Sequence, residues 1–225
     1  GQFAFGNGTF NNNATFTAQA DNSLASFGGI NAFNNNASGT FSRSTGTGSL
    51  TVGIPFINAG TVNFNTGALA FNTSGSSTGT ITALAGLTLT FNSTFDITQG
   101  TLTVPGTLAI VGTLTISSPA TYNASGTVIL TGTFNLNVAS VAANWQSSGT
   151  LQGSANVTVA SGKTFSWTAG TMGGTGTMTV ASGGTLTVDG NVGLARVLTN
   201  NGTVTWVSGQ FAFGNGTFNN NATFT

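Results

Sequence analysis

Few side chains in this sequence can do acid–base or metal chemistry. Asp21, Asp96 and Asp189 are the only carboxylates, Arg43, Lys163 and Arg196 the only cations, and Glu, His and Cys are absent. Hydrolysis of a glycosidic bond needs two carboxyl groups about 5–10 Å apart, and these aspartates are widely separated with no shared spacing. A hydroxyl nucleophile needs a base beside it, and no His or Glu is there to serve. No catalytic, cofactor-binding or metal-ligating residue is assigned, and the chain is expected not to be an enzyme. The string SGKT, Ser161 to Thr164, has the end of a phosphate-binding loop, but Val157 stands where that motif requires glycine. Its neighbour SGGT, Ser182 to Thr185, repeats the turn with Gly184 in place of Lys163, so a structural corner is expected. Asn-x-Ser/Thr sequons such as Asn7, Asn36 and Asn92 are no more frequent than this Ser- and Thr-rich composition produces.

With three cations spread along 225 residues, no basic stripe exists to neutralise nucleic-acid phosphates or to hold an amphipathic helix on a membrane surface. Hydrophobic residues nevertheless make up 39% of the chain, too many for a disordered tract, so it is expected to fold. They come in short groups broken by Gly or Asn, never in the run of about 18 that a membrane span requires.

The sequence begins GQFAFGNGTFNNNATFT and the same seventeen residues return at Gly209–Thr225, 208 positions on. Such internal identity is the mark of a repeat architecture. We therefore read 1–225 as one continuous array, with 1–208 a tandem block and 209–225 the start of the next identical block. Inside the block a shorter unit of about 19–23 residues recurs, a period typical of solenoids. TMGGTGTMTVASGGTLTVDG and ALAFNTSGSSTGTITALAG are two such units. Each unit holds short stretches that alternate polar and apolar residues, rich in Thr, Val, Ile and Phe and bounded by Gly, Asn or Ser. That pattern predicts strands and tight turns, while the poor helix formers and the lack of a 3.6-residue apolar stripe argue against helix. The expected fold is all-β: a right-handed parallel β-helix, or β-solenoid, with about ten coils per block.

Three sets of residues carry the expected register. Phe10, Phe33 and Phe56 recur at equal intervals of one unit and are expected to stack in the core. Asn12, Asn35 and Asn58 share that spacing and are expected to form an amide ladder at a corner; Asn200, aligned through VLTNNG, would carry the ladder across the block boundary. One strand is expected to show an exposed threonine row: Thr15, Thr17, Thr61, Thr80, Thr82, Thr101, Thr103, Thr185, Thr187, Thr203 and Thr205. The residues between them, from Phe16 and Phe41 to Val204 and Trp206, are expected to point inward.

Units such as FINAGTVNFNTG, LTNNGTVTWVSG and MTVASGGTLTV resemble the repeats of very large bacterial surface and secreted proteins, the filamentous-haemagglutinin and autotransporter-passenger type of parallel β-helix. The resemblance implies export, a rod shape and roles in adhesion, matrix or sheath. The expected function is that of a structural protein: a segment of an extracellular filament, sheath or giant surface rod, stacked end to end on itself. An adhesin stalk binding a cell surface, matrix or glycan, with candidate regions around Ala18–Ser26 and Val138–Ser148, is the first alternative. An ice-binding solenoid using the threonine row is the second.

Overall fold

Alternation of polar and apolar residues only buries one face of a strand, so each strand here must find a core on one side and coil neighbours above and below. The computed structural model, which describes residues 1–225, meets that demand with 31 short strands and no helix. It is a β-solenoid of about eleven turns, and the pairings between successive coils are parallel.

Each coil has three sides. The first side starts at Gln2–Phe5 and continues through Ser23–Ser26, Ala68–Phe71 and Thr127–Leu130 to Thr203–Ser208 and Thr223–Phe224. The second starts at Gly8–Asn12 and runs through Asn31–Asn35, Phe56–Asn58 and Thr133–Leu136 to Phe211–Phe213. The third is split in two. One sheet holds six strands from Thr15–Ala18 to Thr121–Asn123, and another holds four from Val157–Val159 to Thr217–Asn220. In the coil between them, residues 137–143 form no strand, and Val138 and Val141 lie half-buried against the core instead.

Coil length varies more than the sequence suggests. The chain returns to the first side between Thr127 and Asn144 in its shortest coil and between Ser23 and Thr51 in its longest. The first is shorter, and the second longer, than any unit expected from the sequence. The short coil is the one without a third strand; the long one contains the turn around Gly46.

Burial follows the alternation. In Thr61–Phe64 the side chains of Val62 and Phe64 are buried while Thr61 and Asn63 are half-exposed, and Thr107–Ile110 repeats the pattern with Leu108 and Ile110. The inward residues merge into one core of 48 side chains running the length of the rod. Corners are tight enough to select residue type: a Cβ built on Gly79 would lie 2.0 Å from the Gly60 carbonyl oxygen, and one on Gly149 would lie 2.2 Å from that of Gly132. Glycine stacks on glycine there because no side chain fits between coils. A threonine follows each of these glycines and opens the next strand.

Candidate functional site

Phe10, Phe33 and Phe56 lie one above another on the second side, with ring centroids 5.0 Å apart for the first pair and 5.3 Å for the second, both stacked. The column stops at Gly75, the next partner of Phe56, because the Phe95 ring occupies the space that a Cβ on Gly75 would need. At the adjoining corner the Asn12 amide donates to the Asn35 side-chain carbonyl at 2.7 Å, and Asn35 donates to Asn58 at 2.8 Å. Asn58 passes the chain to Ser77 Oγ at 2.9 Å. The Asn12 and Asn35 amides also donate to the backbone carbonyls that open the next third-side strands, Thr40 O and Thr61 O, at 3.0 Å. All four side chains are buried, so the ladder satisfies polar groups that would otherwise be costly inside the rod.

The threonine row corrects the sequence reading. Thr15, Thr61, Thr80 and Thr101 are stacked partners on the third side, together with Thr40, and Thr17, Thr82 and Thr103 lie beside them. Thr185, Thr187, Thr203 and Thr205 stand on the first side, as do Thr164 and Ser166. One row has become two on different sides. The cause is that strands on every side open with threonine after a glycine corner, so similar segments do not mark one side. Trp206, expected inward, is 48% exposed, its indole N–H donating to Ser208 O and Gly209 O at 3.1 Å.

Four of the six charged residues, Asp21, Arg43, Asp189 and Arg196, have structural partners. Arg43 is buried at an inward position of Thr40–Arg43, where it donates to Asp21 and to the Ala20 carbonyl. The Arg43 guanidinium, followed by the Gly48 backbone, holds the Asp21 carboxyl below its ordinary value of 3.8. Arg196 is buried without a carboxylate and donates through Nε to Gly173 O at 2.6 Å; burial lowers it to about 10. Asp189 accepts from Ser208 Oγ at 2.6 Å, and Asp96 sits in Phe95–Ile97. The sequence reading missed the Asp21–Arg43 pair, although the alternation of Phe41 and Arg43 marks the arginine as inward. SGKT is a turn stacked on its SGGT neighbour, with Gly162 N donating to Gly183 O at 2.9 Å. No three His, Cys, Asp or Glu side chains come together. The region around Val138 borders a shallow cleft of about 280 Å³ beside Tyr122, and Ala18–Ser26 contains the Asp21 corner.

The two identical segments can be compared directly within the structure. Asn220, the copy of Asn12, accepts from the Asn200 amide at 2.7 Å, and Asn200 also donates to Thr223 O at 2.7 Å. This is the geometry of the first ladder, rebuilt at the block boundary. No family model, curated protein or solved structure matches the chain. Its own internal repeat is therefore the most informative comparison, and the two copies stand on different sides. Phe3 belongs to the first side, pairing with Leu24, whereas its copy Phe211 pairs with Val192 on the second. Likewise Thr9–Asn12 lies on the second side and its copy Thr217–Asn220 on the third. One block thus spans ten turns and one further side.

Proposed function

We propose that the chain is a structural segment of an extracellular filament, sheath or giant surface rod built from tandem β-solenoid blocks. The observation that carries this reading is the block boundary, where residues 209–225 continue the stack on the preceding coil through parallel strand pairing and an asparagine-to-asparagine bond, one side on from the place the first copy occupies. A solenoid that can repeat its own sequence without interrupting its core can be extended indefinitely along its axis. The sparse charge supports this, because the stack suffers little self-repulsion, and the poor solubility that follows suits a fibre. With coils about 4.8 Å apart, one block advances about 50 Å.

The test is electron microscopy of purified material together with its mass under denaturing conditions. A filament whose axial rise per block is about 50 Å, the advance set by the strand spacing, supports the reading. A population of isolated short rods at every concentration removes it.

A second reading has one observation in its favour: Thr40, Thr61, Thr80 and Thr101 form an unbroken column on the third side. An ice-binding face would orient water through such a column. Against it, the neighbouring column reads Thr17, Ser42, Asn63, Thr82, Thr103. Unaltered ice-crystal shape in solutions of the protein would dismiss this alternative.

A further inference from the structure

The end face formed by residues 209–225 is apolar and open. Trp206, Phe211, Phe213, Phe218 and Phe224 line a cleft of about 610 Å³ there. At the other end of the chain the same sequence is covered on its upper surface, while Phe3 stays 41% exposed. Phe5 is 8% exposed where its copy Phe213 is 51% exposed, and Asn12 is buried where Asn220 is exposed. The cover consists of residues 18–43. Phe10 stacks on Phe33 at 5.0 Å and Phe16 on Phe41 at 5.4 Å, Asn12 donates to Asn35, and the outward pairs Asn34–Asn11 and Asn36–Asn13 bond at 2.9 and 2.7 Å. Every residue of 1–17 that takes part in this packing recurs in 209–225. The lower surface of the 209–225 segment, by contrast, is fitted to the coil beneath it, through Phe218 on Leu198 and Phe224 on Val204. Its two surfaces have different partners, which disfavours stacking the segment on itself.

We propose that the face of residues 209–225 is a docking surface for a second copy of this block, which lays its residues 18–43 across it in the register that 18–43 adopt on residues 1–17. The inference rests on the filament reading and adds the partner, the surface and the angle. Because the two copies of the segment stand one side apart, each successive block is turned by one side of a three-sided coil, and three blocks restore the starting orientation. Between separate chains the incoming copy exchanges its own residues 1–17 for the identical 209–225 of its neighbour. The packing given up is the same as the packing formed, and the seventeen released residues regain conformational freedom that offsets the cost of association.

The chain has no cysteine, so introduced pairs report docking directly. Asn219 is the copy of Asn11, the partner of Asn34. In the docked assembly Asn34→Cys of one chain lies beside Asn219→Cys of the next, at the parallel-strand separation a disulfide tolerates. Within one chain the two positions lie in the second and the last turns and cannot bond. After partial denaturation and refolding at high concentration, mild oxidation of the double variant should give a reducible ladder of covalent multimers. Asn36→Cys with Asn221→Cys, also outward, should behave alike, and Asn11→Cys with Asn219→Cys should stay monomeric. A ladder from the 11/219 pair would mean that the segment stacks on itself and would overturn the register; monomers from all three pairs would overturn the docking. Microscopy of the same samples separates the two readings. Filaments without a 34–219 bond overturn this docking and leave the filament standing, whereas isolated rods throughout overturn both.

Discussion

Asn35 donates its side-chain amide to Asn58 at 2.8 Å while accepting from Asn12 at 2.7 Å, and all three side chains are buried. The amides point the same way along the axis, so each bond is polarised by the next. Asn35→Ala removes an acceptor and a donor at once and leaves Asn58 Oδ1 unpaired inside the rod. The expected loss is about 2–4 kcal/mol, read as a fall in the denaturation midpoint at constant slope. Asn34→Ala, which removes only the surface bond to Asn11, should stay within about 0.5 kcal/mol of the parent. Equal effects from the two variants would show that the buried ladder adds nothing special.

The corner glycines make a different demand. Gly79→Ala puts a Cβ 2.0 Å from the Gly60 carbonyl oxygen, so adjacent coils must separate locally. A loss of about 1–3 kcal/mol is expected, as for an overpacked core. Gly8→Ala meets nothing within 4 Å and should be close to neutral. If thermal melting ranks the two the other way round, corner packing does not select glycine.

The inward residues were legible in the sequence and the side on which each strand stands was not, for one physical reason. Alternation is local: Phe41, Val62 and Phe134 must be buried because their neighbours are polar, whatever lies above or below. Side assignment is cumulative. It depends on how many corners the chain has turned, and the corners look alike because glycine followed by threonine opens strands on all three sides. The coil through residues 137–143 makes a side without making a strand, and there the local grammar loses count. Thr101 and Thr185 therefore read as one row and lie on two. The ladder from Asn12 to Asn58 could be read because its spacing is the same at both steps. Its continuation at Ser77 comes after a shorter coil and with a different side chain.

Asp21 and Arg43 give the rod an acid-sensitive point. The bond from Arg43 lowers the Asp21 pKa from its ordinary 3.8, so the folded state favours the carboxylate. Its contribution is fully present above that value and is lost as pH falls through the lower folded value. Asp21→Asn leaves the buried Arg43 with backbone carbonyls alone and should lower the melting temperature at neutral pH. The gap between parent and variant should shrink steadily below about pH 4. A gap of constant size from neutral to strongly acidic pH would show that the charge on Asp21 is not what matters.

Tyr122 is the only tyrosine in the chain, and its buried phenol has no hydrogen-bond partner, although its ring packs edge-on against Phe134 at 5.6 Å. Burial raises the phenol pKa well above 10, so the folded state holds it neutral. The sign follows: this preference is fully present below the ordinary phenol value and is lost as pH rises, because the unfolded chain ionises first. Tyr122→Phe keeps the ring and removes the unpaired hydroxyl, so it should raise stability by about 1–3 kcal/mol at neutral pH. It should also abolish the part of the alkaline destabilisation that the parent shows above about pH 10. Phenolate absorbance during an alkaline titration provides the check, since this single chromophore should appear only as the rod unfolds. Reversible titration of Tyr122 in the intact rod, or destabilisation by the phenylalanine, would mean that the phenol is solvated after all and that the strandless coil beside it admits water.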